Sequence, residues 1–337
     1  MRKRHGRAQK PVAMTIPVIR AFVAQNPTCK ITFVSRPFFK PLFAEIDNVT
    51  FFEVDLHQRH KGFLGIIRLY FDLNKLKIDA VADLHNVVRS KILRKLFAIS
   101  GKKVAFTNKG RKDKIQLTRA KNKIFKPLKS MFERHVDTFS KLGFSIDLST
   151  PNFPKTANLS DEILYISGNK ENYRWIGIAP FAQYQTKVYP QDLMQKVIDK
   201  LAEDAKNKIF LFGGGSIEIA KLKLFASNKK NAIVVAENLN FHQELQLISN
   251  LNVMLSMDSG NAHIAAAYGI KTITLWGVTH PYAGFAPFNQ PIENCLVADR
   301  NQYPLIPTSI YGNKIIAGYQ DVMRTIDPET IIKKIEE

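Results

Sequence analysis

No run of 18 or more apolar residues occurs in this chain of 337, so it carries no candidate membrane-spanning helix. Its start, MRKRHGRAQK, is basic but lacks the apolar segment that a secretory signal needs behind it. Cysteine is scarce. Cys29 and Cys295 lie far apart and match no metal-ligand spacing, which reads as two structural free thiols in a reducing compartment, the cytoplasm. There is no repeat of solenoid length and no low-complexity tract. The second half lacks net charge. Residues 1–150 hold 31 Lys and Arg against 11 Asp and Glu, whereas residues 151–337 hold 18 against 18. The excess is densest in residues 102–129, with 11 basic residues and one acid. Such a stretch is either a solvated, solubilising surface or a face for an anionic partner: nucleic acid, phosphate-bearing lipid or a membrane. Only Phe106 and Phe125 are there to stack on bases, and no nucleic-acid motif accompanies them, so no nucleic acid is expected.

Near-continuous apolar runs alternate with helix-length segments along the whole chain. The first half has ITFVS (31–35), TFFEVDL (50–56), DAVADLH (79–85) and KKVAFT (102–107). The second has IGIAP (176–180), IFLFGG (209–214), AIVVAE (232–237), VMLSMD (253–258) and TITLWG (272–277). Strands of this kind belong to parallel sheets covered on both faces. The interval 149–174, rich in Pro, Asn and Ser, reads as a connection between domains. The expectation is an α/β chain of two doubly wound, Rossmann-like domains facing a cleft, with residues 1–150 as one domain and 151–337 as the other. Ligands of open α/β sheets bind beyond the C-terminal strand ends, where Pro180, Gly213, Glu237, Asp258 and Gly277 fall.

The most informative stretch is MDSGNAHIAAAYGIKTITLWGVTHP, residues 257–281. A strand ends at Asp258, and Ser259-Gly260-Asn261 opens a helix. Free N–H groups at a helix start carry partial positive charge, and Gly260 lets an anion such as a phosphate come close. The plainer alternative is that Asp258 or Ser259 caps the helix. His263, one turn in, is either a satisfied helix histidine or a donor to a phosphate or hydroxyl. The alanines that follow suit close helix–sheet packing. In IAPFAQYQTKVYP, Lys187 sits in a loop beyond a strand end, a surface lysine or a phosphate partner. In FLFGGGSIE the glycines do not have the G-x-G-x-x-G spacing, and Glu218 is either a ribose-binding acid or an ordinary first-turn acid.

In this order and spacing, these three segments resemble the nucleotide-sugar half of glycosyltransferase family 9, the ADP-heptose:lipopolysaccharide heptosyltransferases of GT-B architecture. VAMTIPVIRAF (12–22), ITFVSRPFFKPLF (31–43), DLHNVVRSKILRKL (83–96) and RHVDTFSKLG (134–143) are similar to the first domain of that family, so the resemblance spans nearly the whole chain. It implies an inverting, metal-independent transfer of heptose from ADP-heptose to a lipopolysaccharide inner-core acceptor. No Asp-x-Asp metal motif is present and no cofactor is expected. Lys187 would contact the donor diphosphate and Glu218 the ribose. Asp258, Ser259, Gly260 and His263 would hold phosphates or sugar, with Thr279 nearby. Arg89, Lys91, Lys109, Arg111 and Arg134 would face an anionic, lipid-linked acceptor, placing the protein in the cytoplasm, peripheral to the inner face of the membrane. The alternatives are a GT-B enzyme for another nucleotide sugar and a degenerate member that retains nucleotide binding.

The start departs from the family pattern. A glycine-rich turn ending in Gly-Asp, whose acid is the expected general base, should precede VAMTIP; here Lys10-Pro11 stands in its place. The residues before it contain no Val, Ile, Leu or Phe and cannot form a buried first strand. A misassigned or frame-shifted start, a degenerate gene, or another acid acting as base (Asp55, Asp83 or Asp113) each account for this. The catalytic base is therefore left unassigned.

Overall fold

The computed structural model describes residues 6–314 and 316–337, with side chains described from Gln9 onward apart from residue 315. The basic start MRKRH lies outside the described residues. The strands are β1 Ile31–Ser35, β2 Val49–Glu53, β3 Ala80–Asp83, β4 Lys103–Phe106, β5 Arg174–Ala179, β6 Asn207–Leu211, β7 Ala232–Val234, β8 Val253–Met257, β9 Lys271–Trp276 and β10 Cys295–Val297. The helices are α1 Gly6–Ala13, α2 Ile16–Gln25, α3 Gly62–Asn74, α4 Val88–Ile99, α5 Arg111–Thr118, α6 Met131–Ser140, α7 Asp161–Ser167, α8 Gln191–Glu203, α9 Ser216–Ala226, α10 Phe241–Ser249, α11 Gly260–Ala267 and α12 Pro328–Glu336. Every apolar run expected to be a strand is one. The short β10 was not expected, because CLV is too brief to stand out as a run.

The chain folds as two compact units, divided differently from the expected 1–150 and 151–337. One comprises residues 1–13, 112–128 and 154–337; the other comprises 14–111 and 129–153. The reason is specific bonding. The Lys123 ammonium donates to the carbonyls of Leu117, Leu305 and Pro307 at 3.0, 2.7 and 2.7 Å. The Leu128 N–H donates to the Tyr282 carbonyl at 2.9 Å, and the Arg300 guanidinium lies 3.4 Å from the centre of the Phe125 ring. Part of the basic stretch thus spends its charge inside the fold. Burial, with a smaller push from Arg300, lowers the Lys123 pKa to about 8.

The larger unit holds one six-stranded sheet, ordered β10-β9-β8-β5-β6-β7 and parallel throughout. Its middle strands are buried on both faces, as continuous apolar sequence requires. Ile176, Ile178, Leu211, Val253, Leu255 and Ile273 meet side chains of α8, α9 and α12 in a single core. The reversal of strand order between β5 and β8 marks the switch point at whose C-terminal edge ligands bind in such sheets.

The smaller unit is built differently. Among the described residues its four strands form two separate parallel pairs, β1 with β2 and β3 with β4. Residues 6–13, where the family's first strand would stand, are helical. All five residues of β1 and three of the four in β3 are only half-buried. A strand laddered on one side alone keeps that exposure, whereas a central strand would lose it. Val54, Leu69, Leu73 and Phe97 form a compact core under these pairs.

Candidate functional site

β8 delivers Asp258 to the C-terminal edge of the large sheet, and α11 starts two residues later. The Asp258 side chain is buried, at 2% exposure. Neither it nor Ser259 caps the helix. Ser259 is extended, makes no capping bond and pairs its hydroxyl with that of Ser256 at 2.9 Å. Asp258 instead gathers three donors. The Lys187 ammonium reaches the Asp258 carbonyl at 2.6 Å and Oδ2 at 3.2 Å. The Thr279 hydroxyl donates to Oδ2 at 3.3 Å. The Lys10 ammonium, from α1, bonds Oδ1. A Cβ on Gly312 would collide with the Lys187 side chain, so that glycine lets the 309–313 loop lie against the lysine.

The electrostatics follow from burial. Desolvation alone would raise the Asp258 pKa, but Lys10 and Lys187 together more than reverse it and leave the carboxyl well below the usual range. Burial lowers Lys10 to about 8, against the pull of Asp258 and with the push of Lys187. His263 is buried one turn into α11. Desolvation, then the charge of Lys10, drives its pKa well below the usual value, so it is neutral at pH 7. Two ammonium groups and one carboxylate therefore leave a buried corner with one surplus positive charge beside the N-terminal end of a helix, a chemistry suited to an anion.

The structure thus brings together Lys187, Asp258, Thr279 and His263, with Ser259 and Gly260 adjoining. Glu218 stands apart in the first turn of α9, which follows β6, two places from β8 in the sheet. Its carboxylate accepts the Gly214 N–H at 3.0 Å and so braces the glycine turn. Gly260 does something the sequence did not suggest: a Cβ there would lie 2.8 Å from Cγ of Gln9, so the glycine lets α1 pack on α11. Lys10 was missed as a member of the site. It sits 4.6 Å from the centre of the Phe285 ring and 5.7 Å from that of Trp276. A lone lysine beside a proline carries no motif that could have announced this. Among the described residues, no three His, Cys, Asp or Glu side chains gather in a set that could hold a metal ion.

A model of glycosyltransferase family 9 (heptosyltransferase) matches residues 66–311. The chain belongs to that family. It is 24% identical over 301 residues to lipopolysaccharide heptosyltransferase 1 of Campylobacter coli, covering 83% of this chain and 81% of that protein. Two solved structures share its fold. The glycosyltransferase family 9 protein of Veillonella parvula has a TM-score of 0.72 at 18% identity, over 97% of this chain and 93% of the other. The E. coli heptosyltransferase WaaC with ADP has a TM-score of 0.66 at 17% identity, over 97% and 96%.

In the smaller unit of this glycosyltransferase, the five expected basic residues do not behave alike. Arg134 is buried at 6% exposure, donates to the carbonyls of Lys129 and Asn108 at 3.1 Å each, and fills the space over Gly110, whose φ is +61°. It clamps the 108–110 loop. Arg89 donates to the His60 carbonyl at 3.0 Å. Lys109, Arg111 and Lys91 lie close enough to interact: burial, then Arg111, lowers the Lys109 pKa, Asp83 opposes this, and Lys91 adds a further push. Two of the acids weighed as a general base are already engaged. Asp83 accepts from the N–H groups of His85 and Asn86 at 3.1 and 2.6 Å and from Arg94 at 3.1 Å. Asp55 accepts from the N–H groups of His57 and Gln58 at 2.9 and 3.0 Å. Asp113 lies in the first turn of α5. Among the described residues, no helix is long and apolar enough to cross a membrane.

Proposed function

We propose that this enzyme transfers heptose from ADP-heptose to an anionic inner-core lipopolysaccharide acceptor, with inversion and without a metal. The observation that carries the reading is the buried corner of Lys187, Asp258 and Thr279 at the start of α11. As the bond to the anomeric carbon breaks, negative charge grows on the departing diphosphate. Preorganised donors in a water-poor site stabilise such charge without reorganising. Lys187 and the first N–H groups of α11 would supply them. Buried His263, neutral at pH 7, would act as a hydrogen-bond partner rather than as a cation. Lys91, Lys109 and Arg111 support an acceptor that carries phosphates or carboxylates. No general base is assigned, since Asp55 is held by the backbone N–H groups of His57 and Gln58, and Asp83 by those of His85 and Asn86 and by Arg94.

The test is calorimetry of the full chain with ADP. A fragment starting near residue 150 would cut through the larger unit, which includes residues 1–13 and 112–128. Lys187→Ala weakens binding by about 1.5–3 kcal/mol if it loses a charge-assisted bond to phosphate. Absence of ADP binding at millimolar concentration in the wild type sinks the donor-site reading.

A further inference from the structure

Helix α3, GFLGIIRLYFDLN, carries two apolar faces. Ile66, Leu69 and Leu73 are buried. Phe63, Leu64 and Phe71 point the other way and are 63%, 65% and 57% exposed, and Leu76 follows at 48%. At 3.6 residues per turn, Phe63, Leu64, Ile67 and Phe71 share one arc of about 100°. A single exposed hydrophobe is ordinary, but a continuous stripe with two phenyl rings marks a surface with a partner.

The charges say what partner. Residues 61–77 contain four basic side chains, Lys61, Arg68, Lys75 and Lys77, all exposed. The one acid among them, Asp72, is taken by Arg59 through bonds of 2.7 and 2.8 Å and by His60 at 3.2 Å. An apolar stripe rimmed by free cations matches the interface between the headgroups and acyl chains of an anionic bilayer. A second copy of the chain meeting this face symmetrically would set the same four cations against themselves, so charge disfavours self-association.

We propose that the exposed face of α3 docks on an anionic lipid surface, with Phe63, Leu64, Ile67 and Phe71 entering the interface and Lys61, Arg68, Lys75 and Lys77 meeting lipid phosphates. This deepens the proposed function, on which it rests for one point only: a lipid-linked acceptor lies in the same bilayer.

The experiment sediments the full chain with vesicles of phosphatidylcholine, alone or mixed with phosphatidylglycerol. Three proteins are compared: the wild type, Phe63→Ser/Leu64→Ser/Phe71→Ser, and Lys61→Gln/Arg68→Gln/Lys75→Gln/Lys77→Gln. The wild type binds the anionic vesicles, more weakly as salt rises. Each variant loses at least about tenfold in partitioning. ADP affinity is measured alongside and stays unchanged, which shows that both variants are folded and separates this surface from the donor site. Should the serine variant unfold, the glutamine variant decides alone. Wild-type indifference to anionic lipid overturns the proposal. So does either folded variant that binds like the wild type, or self-association through this face with no vesicle binding. Lipid binding by a chain that does not bind ADP leaves the docking surface standing and removes the donor-site reading.

Discussion

Asp258→Asn tests the buried charge cluster most directly. The carboxylate is nearly sealed from solvent and holds two ammonium groups, Lys187 at 3.2 Å and Lys10. At an effective dielectric constant near 20, each such pair attracts by roughly 4–5 kcal/mol before desolvation is counted. Much of that is offset by burial, but removing one partner leaves the others uncompensated, which costs about 3–5 kcal/mol. Asparagine keeps an acceptor oxygen for one lysine and for Thr279, so the low end, about 3 kcal/mol, applies. In a unit of this size that lowers Tm by roughly 6–12 °C. The pH dependence carries a definite sign. Below about 8, Lys10 is protonated in both the folded and the unfolded chain, and the ion pair contributes in full. As pH climbs through that value the folded chain releases the proton while the unfolded chain keeps it, so this group's contribution to stability rises with pH in the wild type. In the variant the folded pKa lies lower still, and the same rise begins at lower pH. The difference between the two proteins therefore shrinks as pH rises toward about 8 and levels off once Lys10 is deprotonated in both folded chains. Inorganic pyrophosphate, which supplies the missing negative charge, restores part of the loss at neutral pH. Urea denaturation of both proteins across this rise in pH is the assay. A loss below about 1 kcal/mol, or one that does not change with pH, refutes the reasoning.

Lys123→Met strips three backbone carbonyls of their shared donor and lowers stability by about 1.5–3 kcal/mol in urea denaturation; an unchanged midpoint means that water replaces the ammonium. Arg134→Met costs a similar 1.5–3 kcal/mol or so, since its guanidinium holds the 108–110 loop; a stable variant that loses only acceptor affinity returns Arg134 to the acceptor site. Replacing residues 1–11 with an apolar strand ending in Gly-Asp gives up the Lys10–Asp258 pair and so lowers stability, but speeds the proposed heptose transfer to an inner-core lipopolysaccharide acceptor by about 10²–10⁴-fold, the usual worth of a general base. Equal rates for the two chains mean that another carboxylate already does that work.

The nine strands from β1 to β9 were legible because each is an unbroken apolar run between helix-length segments; β5 and β8 are buried on both faces as such runs predict, whereas β1 and β3 carry the same signal and stay half-buried. The corner at Asp258 was legible for a related reason: a polar triplet between an apolar strand and an alanine-rich helix has few structural excuses. What remained hidden was long-range. Lys10 and Asp258 are 248 positions apart, and no local pattern ties them. The density of cations in residues 102–129 was plain, but not its partition: Lys123 serves backbone carbonyls, Lys114 lies 4.2 Å from the centre of the Phe285 ring, and Arg111 stays with the Lys109 cluster. Composition counts charges without showing which ones face water. The same holds for α3, whose second apolar face is visible as residues and becomes a surface only when the first is seen to fill the core.

The paired strands of the smaller unit have a consequence for how it opens. Among the described residues, β1 and β3 each present one edge whose N–H and C=O groups join no strand ladder. Two-stranded assemblies are marginal by themselves, so β1–β2 and β3–β4 depend on the small core of Val54, Leu69, Leu73 and Phe97. Amide hydrogens of these four strands should exchange by local opening, well before those of β5, β8 and β9, whose release needs the larger unit to unfold. Limited proteolysis would then cut first within residues 14–111 or 129–153 and leave the six-stranded sheet as the resistant remainder. The unladdered edges are also where extended segments of other chains would add on as this unit opens, so aggregation on heating would start there and spare the Asp258 corner longest.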